Sequence, residues 1–266
     1  MHPIERLRYV ARANGYPQHV IVSEAAHALA SFAGDPQGLV TACRRMVSRQ
    51  PTSAPLVWLC ARVLCSGDPR AEIRAALSDL ENDTTNRELS FCLPDDATIV
   101  ILGWPEFASD ALRRRGDLEV LVVDVHNEGG GAVLDLLNAD INAHDVPVAG
   151  LAAAVKEADL VVLEAEVVSP AEILAVSGSY AAAAVAKTKD IPVWCAAGVG
   201  RFLPQRMWEP LQQMIIVDDP WEHDTEVLPL SLVDQVIGPR GAQSVEDAIK
   251  RIDCPVAPEL FKGNIL

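Results

Sequence analysis

"VVLEAEVVSPAEILAVSGSYAAAAVAKTKDIPVWCAAG", from Val161 to Gly198, holds two apolar runs on either side of an alanine-rich segment. The first run ends on two acids, Glu164 and Glu166. A loop follows, Gly178 and Ser179 open the alanine-rich segment, and "IPVWCAA" (191–197) is the second run. Short runs that are apolar at every position suit strands covered on both faces. Alanine is the strongest helix former, so 178–189 is expected to be a helix joining two parallel strands.

The same texture extends outward. "ATIVILG" (97–103), "LEVLVVD" (118–124) and "DLVVLEA" (159–165) are further apolar runs, separated by helical stretches at 105–115, 130–139 and 151–157. Alternating strand and helix predicts a parallel, doubly wound sheet. "MIIVDD" (214–219) reads as a shorter strand. "SVEDAIKRI" (244–252) reads as a last helix, capped by Ser244 with Asp247 three residues on.

Upstream, apolar residues recur at spacings of three and four, the helical period. "IERLRYVARAN" ends near Gly15 and Pro17. Ser23 is expected to cap "EAAHALASFA", which Gly34-Asp35-Pro36 stops. "QGLVTACRRMVSRQ", "APLVWLCARVLC" and "DPRAEIRAALSDLEND" follow, the last with Asp68 as N-cap and Pro69 at the first helical position. No strand-like alternation occurs before about residue 95. The polar, then Pro-containing "DTTNRELSFCLPD" (83–95) marks the change, dividing a helical domain, 1–90, from an α/β domain, 91–266.

Half of the 266 residues are apolar, as in an ordinary globular protein, and the formal charge is −15. Such a charge repels phosphate backbones and argues against nucleic acid; Arg113–Arg115, the densest basic spot, reads as a solvated helix end. No apolar run approaches the roughly 20 residues that span a bilayer, and Glu5, Arg6 and Arg8 do not suit a signal peptide. A cytoplasmic protein without membrane contact is expected. The six cysteines and six histidines show no CxxC, HExxH or other ligand spacing. Neither a metal nor a cofactor is expected.

In open α/β sheets ligands bind at the carboxyl ends of the strands. Four such ends are legible: Gly103-Trp104, Asp124-Val125-His126, Glu164-Ala165-Glu166 and Ala197-Gly198. Gly178 and Ser179 stand where a helix begins, and its free N–H groups suit a phosphate or carboxylate. Each feature has a plainer reading. Gly178 and Ser179 can be only a turn and a cap. "GGG" (129–131) can be a turn rather than an N–H nest. Glu166 can be a general base or a structural partner. Trp104 can stack on a ligand or fill space, His126 can be a rim residue, and Cys195 can simply pack.

The order of these motifs carries a resemblance. A helical first part, then "DLVVLEAEVV" (159–168), "GSYAAAAVAKTKDIPVWCAA" (178–197) and "EVLPLSLVDQVIGPRG" (226–241) resembles the regulatory subunit family of translation initiation factor 2B (alpha/beta/delta type). That family also holds ribose-1,5-bisphosphate isomerase and methylthioribose-1-phosphate isomerase. The resemblance implies an α/β fold: an N-terminal helical domain followed by a Rossmann-like parallel sheet of the ribose-5-phosphate isomerase/CoA-transferase type. It also implies a homodimer formed through the C-terminal part.

Its departures bear on chemistry. The isomerases carry a catalytic cysteine after the first α/β strand, where this chain has Gly103 and Trp104. An indole cannot relay the proton that ring opening needs. The isomerases' aspartate falls on Glu166, and their Asn-Lys falls on Ala175 and Val176. The arginine expected after the second strand falls near His126 and Asn127. Gly178, Ser179 and Tyr180 survive. The resemblance therefore implies a non-catalytic, dimeric binding or regulatory protein with a degenerate sugar-phosphate or nucleotide crevice. Gly103, Trp104, His126, Gly178, Ser179 and Tyr180 would line it, and a phosphorylated small molecule would be its ligand. The alternative is a diverged sugar-phosphate isomerase working through Glu166.

Overall fold

Asp68 starts a helix as its sequence predicts, and Asp35, read only as part of a stop, starts one in the same way. Each is followed by a proline, whose missing N–H costs nothing in a first turn. Their carboxylates accept the N–H groups of Gly38 at 3.0 Å and Ala71 at 3.1 Å. The computed structural model describes residues 18–127, 129–216 and 219–262. The expected helix "IERLRYVARAN" lies outside them. The described residues divide into two compact units. One is drawn from Met1–Asp83, Val199–Asp218 and Ile252–Leu266, the other from Thr84–Gly198 and Asp219–Arg251.

The first unit contains α1 (Gln18–Ala30), α2 (Pro36–Arg49), α3 (Ala54–Cys65) and α4 (Pro69–Glu81). Ser23 is not a cap: α1 begins five residues earlier at Gln18, and Ser23 lies inside it. Helix α3 is apolar all round, as a helix at the centre of a bundle must be. Leu56, Val57, Trp58, Leu59 and Cys60 are all fully buried. At its far end Arg62 lies over the Trp58 ring, 4.5 Å from the centroid, and pairs with Glu72 and Asp79.

The second unit opens with α5 (Thr85–Cys92), so the polar segment read as a boundary is in fact helical, with Leu89 buried. Then come β1 (Thr98–Leu102), α6 (Glu106–Leu112), β2 (Glu119–Asp124), α7 (Gly129–Asn138), β3 (Asn142–Pro147), α8 (Leu151–Glu157) and β4 (Leu160–Val168). After these follow β5 (Glu172–Val176), α9 (Ser179–Lys187) and β6 (Val193–Ala196). The chain passes through α10 (Gln205–Ile215), a helix of the first unit. It returns as β7 (Thr225–Pro229), β8 (Gln235–Gly238), β9 (Gly241–Ser244) and α11 (Val245–Ile249). Ser244 caps α11 through the Asp247 N–H, as expected.

"MIIVDD" does not form the expected strand over its described residues. Met214 and Ile215 close α10, whose buried side chains Met207, Trp208 and Leu211 keep the helical spacing. Its β-branched end imitates a strand, but amphipathic packing decides.

Among the described residues the sheet has nine strands, ordered β3-β2-β1-β4-β6-β8-β9 along its main path. All the ladders from β3 to β8 are parallel; β8 and β9 pair antiparallel. Its middle strands are covered on both faces, which is why residues 99–102 of β1 and 160–163 of β4 are apolar at every position and buried. One core cluster joins Ile99, Ile101, Val120, Val122, Leu160 and Val162 of the strands to Leu112 and Leu136 of the helices. Beyond Ala165 the register of β4 shifts, and β4, β5 and β7 continue as an antiparallel arm. The fold class is the α/β arrangement expected: helices first, then a mostly parallel sheet.

Candidate functional site

Strands β2, β1, β4 and β6 lie side by side and parallel, so their carboxyl ends share one edge. From β1 the chain builds toward β3, and from β4 it builds toward β8. The order thus reverses between β1 and β4, the kind of switch point at which open α/β sheets hold ligands.

Helix α9 brings its start to this edge. Gly178 caps it with φ +99°, a conformation that side chains with a Cβ resist. A Cβ there would meet Leu102 Cδ2 at 3.1 Å and Val125 Cγ1 at 3.2 Å. The missing side chain lets the helix start settle onto the ends of β1 and β2. Ser179 is fully buried, and its hydroxyl has no hydrogen-bond partner among the described residues. The N–H of Tyr180 donates to Glu226 Oε1 at 2.8 Å, while its side chain remains exposed.

The neighbouring residues close around Val125. Gly103 follows β1 and donates its N–H to the Val123 carbonyl at 2.9 Å. Trp104 is 48% exposed, with its ring edge on Gly131, where a Cβ would come within 3.0 Å of Cζ3. The three glycines thus form the first turn of α7 rather than a separate nest. Asp124 Oδ1 accepts the Gly129 N–H at 2.9 Å. His126 Nε2 lies 3.1 Å from the Asp224 carbonyl, which can only accept, so that nitrogen carries the proton. The same carbonyl takes the Ser177 N–H at 3.0 Å. His126 is therefore a half-buried rim residue that ties the segment before β7 to the sheet edge.

The two acids of the opening stretch part company. Glu164 Oε2 accepts the N–H groups of Phe107 and Ala108, at the start of α6. Glu166 lies at the register break itself, between Ala165 and Val167, and is half-buried. Cys195 is fully buried and in register with Leu163, so it packs within the sheet. Ala175, read as the place of a polar ligand in the isomerases, is also fully buried.

The structure thus brings Gly103, Trp104, His126, Gly178, Ser179 and Tyr180 to one edge. Sequence reasoning did not find Glu226 or Asp224. They follow Tyr180 by more than forty residues, with no local signal. Only the β5–β7 ladder, which pairs Ala175 with Glu226, carries them to the α9 start. Among the described residues no group of three or more His, Cys, Asp or Glu side chains is placed to hold a metal ion. No helix among them is long and apolar enough to cross a membrane.

Fold and edge together define a class: a doubly wound α/β protein with a topological switch point between β1 and β4, in a chain that also carries a helical unit. Residues 24–222 match the model of the initiation factor 2 subunit family, and the chain belongs to that family. The resemblance read from the motifs is thereby borne out. The translation initiation factor eIF-2B of Pyrococcus horikoshii OT3 superposes with a TM-score of 0.77 at 16% identity, over 93% of this chain and 98% of that one. The eIF2B beta subunit of Chaetomium thermophilum gives 0.75 at 16% identity, over 97% and 91%. A chain of the tetrameric eIF2B-beta2-delta2 complex of C. thermophilum gives 0.76 at 15% identity, over 93% and 92%. At such identities the likeness is one of fold. No curated protein matches the chain.

Proposed function

We propose that this chain is a non-catalytic, self-associating member of its family, whose crevice is the relic of a sugar-phosphate or nucleotide site. The observation that carries this reading is the Trp104 ring seated against Gly131. In the related isomerases the resemblance puts a proton-relaying cysteine at this place. An indole offers one weak N–H donor and no acceptor, so it can contact a ligand but not move its protons.

The burial of Cys195 supports the reading, since no thiol of β6 faces the crevice to replace the missing one. The C. thermophilum structure whose fold this chain shares is a tetrameric complex. On our reading this chain forms a homodimer through its α/β part. The crevice residues are Gly103, Trp104, His126, Gly178, Ser179 and Tyr180, and they bind or shape rather than catalyse.

The test is turnover. Ribose 1,5-bisphosphate and methylthioribose 1-phosphate are incubated with the purified chain and the products followed by NMR. No conversion above buffer is expected. Conversion at enzyme-like rates, abolished by Glu166→Gln with the fold intact, would instead establish a diverged isomerase. Light scattering on the same sample reads the mass, expected at twice the 28.6 kDa of one chain.

A further inference from the structure

We infer that Glu226 acts as a built-in anion, holding the α9 start closed to phosphate so that phosphorylated ligands are rejected while its carboxylate is in place. This deepens the reading above by naming what keeps the relic site empty of its ancestral class of ligand.

The first N–H groups of a helix have no partner within it and are ordinarily met by a side chain at the N-cap. Here the N-cap is Gly178, which has no side chain to offer. The acceptor comes from another strand: Glu226 Oε1, 2.8 Å from the Tyr180 N–H. Glu226 is not a loose surface carboxylate. It is half-buried, and the β5–β7 ladder fixes its backbone opposite Ala175, three residues before Gly178. A carboxylate so placed gains from the helix dipole as a bound phosphate would.

A second observation marks this helix start as built for a larger anion. Ser179, the first residue of α9, is fully buried, yet its hydroxyl has no hydrogen-bond partner among the described residues. Helical side chains lean toward the N-terminus, so this hydroxyl belongs to the same helix end. A buried donor left unpaired is costly and calls for an explanation. A phosphate carries more acceptor oxygens than the single carboxylate contact provides and would meet both groups.

Two unit negative charges cannot share one helix end, since like charges at contact distance repel strongly in a half-buried setting. The helix starts that follow β1 and β2 offer no alternative. The α6 N–H groups are taken by Glu164, and that of Gly129 in α7 by Asp124. The α8 start, after β3, has no side-chain cap, but that helix is only seven residues long. The starts of α6, α7 and α9 are thereby filled from within by carboxylates of the chain itself.

The experiment titrates inorganic phosphate and ribose 5-phosphate into the intact chain and into Glu226→Gln and Glu226→Ala by calorimetry. The wild-type chain is expected to show no saturable binding below about 10 mM, and the variants to bind at least about tenfold more tightly. Adding Ser179→Ala to Glu226→Ala should take back most of the gain, whereas Glu164→Gln alone should give none. Circular dichroism checks each fold. Glu226→Gln is nearly isosteric and still accepts the Tyr180 N–H, so it carries the test if Glu226→Ala does not fold. Equal phosphate binding by wild type and both variants, or no binding by any of them, would overturn the inference. The readout is binding, not turnover, so this failure is distinct from that of the non-catalytic reading, which fails only if the wild-type chain converts a sugar phosphate.

Discussion

The carboxylate of Glu164, the last β4 residue paired with β6, accepts the backbone N–H of Phe107 at 2.8 Å and that of Ala108 at 3.4 Å. Pro105 precedes this helix and provides no side-chain cap. A strand residue thus does the work of an N-cap for the helix beside it. Helix α6 is only seven residues long, and short helices depend on such tertiary support. Glu164→Ala is therefore expected to lower stability by about 1 kcal/mol or more, the usual cost of a lost cap. Glu164→Gln, which keeps an acceptor, should cost less. Urea unfolding of the three proteins, with the slope unchanged, checks the order.

Gly178 supports the second relationship at this edge. Its φ of +99° and the 3.1–3.2 Å approach of Leu102 and Val125 leave no room for a Cβ. Gly178→Ala must strain the backbone or push α9 off the ends of β1 and β2. A loss of about 1–3 kcal/mol is expected, or about 2–4 °C in melting temperature for each kcal/mol in a chain of this size. A melting temperature equal to wild type would mean that the helix start is not held as the structure has it.

What the sequence disclosed, and what it hid, follows from burial. Strands β1, β2, β4 and β6 were legible because their middles are covered on both faces, so each carries a short, mainly apolar run. The edge strand β3, "NAHDVP", has one partner and exposed side chains, so its letters read as loop. Strands β8, "QVIG", and β9, "GAQS", are short and mix polar residues with glycine, so no apolar run marks them. The arm strands β5 and β7 depend on pairing across about fifty residues, which no window along the chain contains.

The site was legible in the same uneven way. Gly103, Trp104, His126, Gly178, Ser179 and Tyr180 all follow or precede elements that could be read, and they meet at one edge. The groups that complete the edge were not legible. Glu226 arrives through the β7 register, and Asp224 through its carbonyl, which any residue type could supply. Glu164 was conspicuous as an acid, but its partner helix start lies 57 residues upstream. Paired acids at a strand end suggest catalysis from sequence; here the first of them holds a helix.

Asp117 gives a prediction for acid conditions. The Arg115 guanidinium donates to both its oxygens, at 2.9 and 2.6 Å, and the Asp96 N–H adds a third bond at 3.1 Å. These hold the carboxyl well below the usual carboxylate range, the Arg115 bond first and the Asp96 N–H after it. A folded-state pKa below the unfolded value means that the unfolded chain takes up the proton first as pH falls. The contribution is therefore fully present above about pH 4, the unfolded value for aspartate, and is lost as pH drops toward the folded pKa. Asp117→Asn should make the fall in stability below that pH shallower and leave its shape at neutral pH unchanged. Urea midpoints measured from pH 7 down to the acid limit of folding check this. Identical acid slopes in both proteins would count against it.

The thiols offer the last test, because they differ in access. Cys43 and Cys60 are fully buried, and the hydrogen bond that the Cys60 thiol donates to Cys43, followed by burial, pushes the Cys60 thiol well up. Burial pushes the Cys254 thiol up as well. Only the thiolate attacks an alkylating reagent, so Cys60 and Cys254 should be protected twice over, by lack of access and by staying protonated, and Cys43 by lack of access. Cys65 is exposed and Cys92 half-exposed. Native labelling with iodoacetamide at pH 8, read by mass spectrometry, should therefore modify Cys65 or Cys92 first. Cys43, Cys60, Cys195 and Cys254 should follow only at the rate of unfolding, and Cys195 lagging with this group would agree with a crevice that has no reactive thiol. Early labelling of Cys195 would place a thiol within reach of the crevice and reopen the case for catalysis.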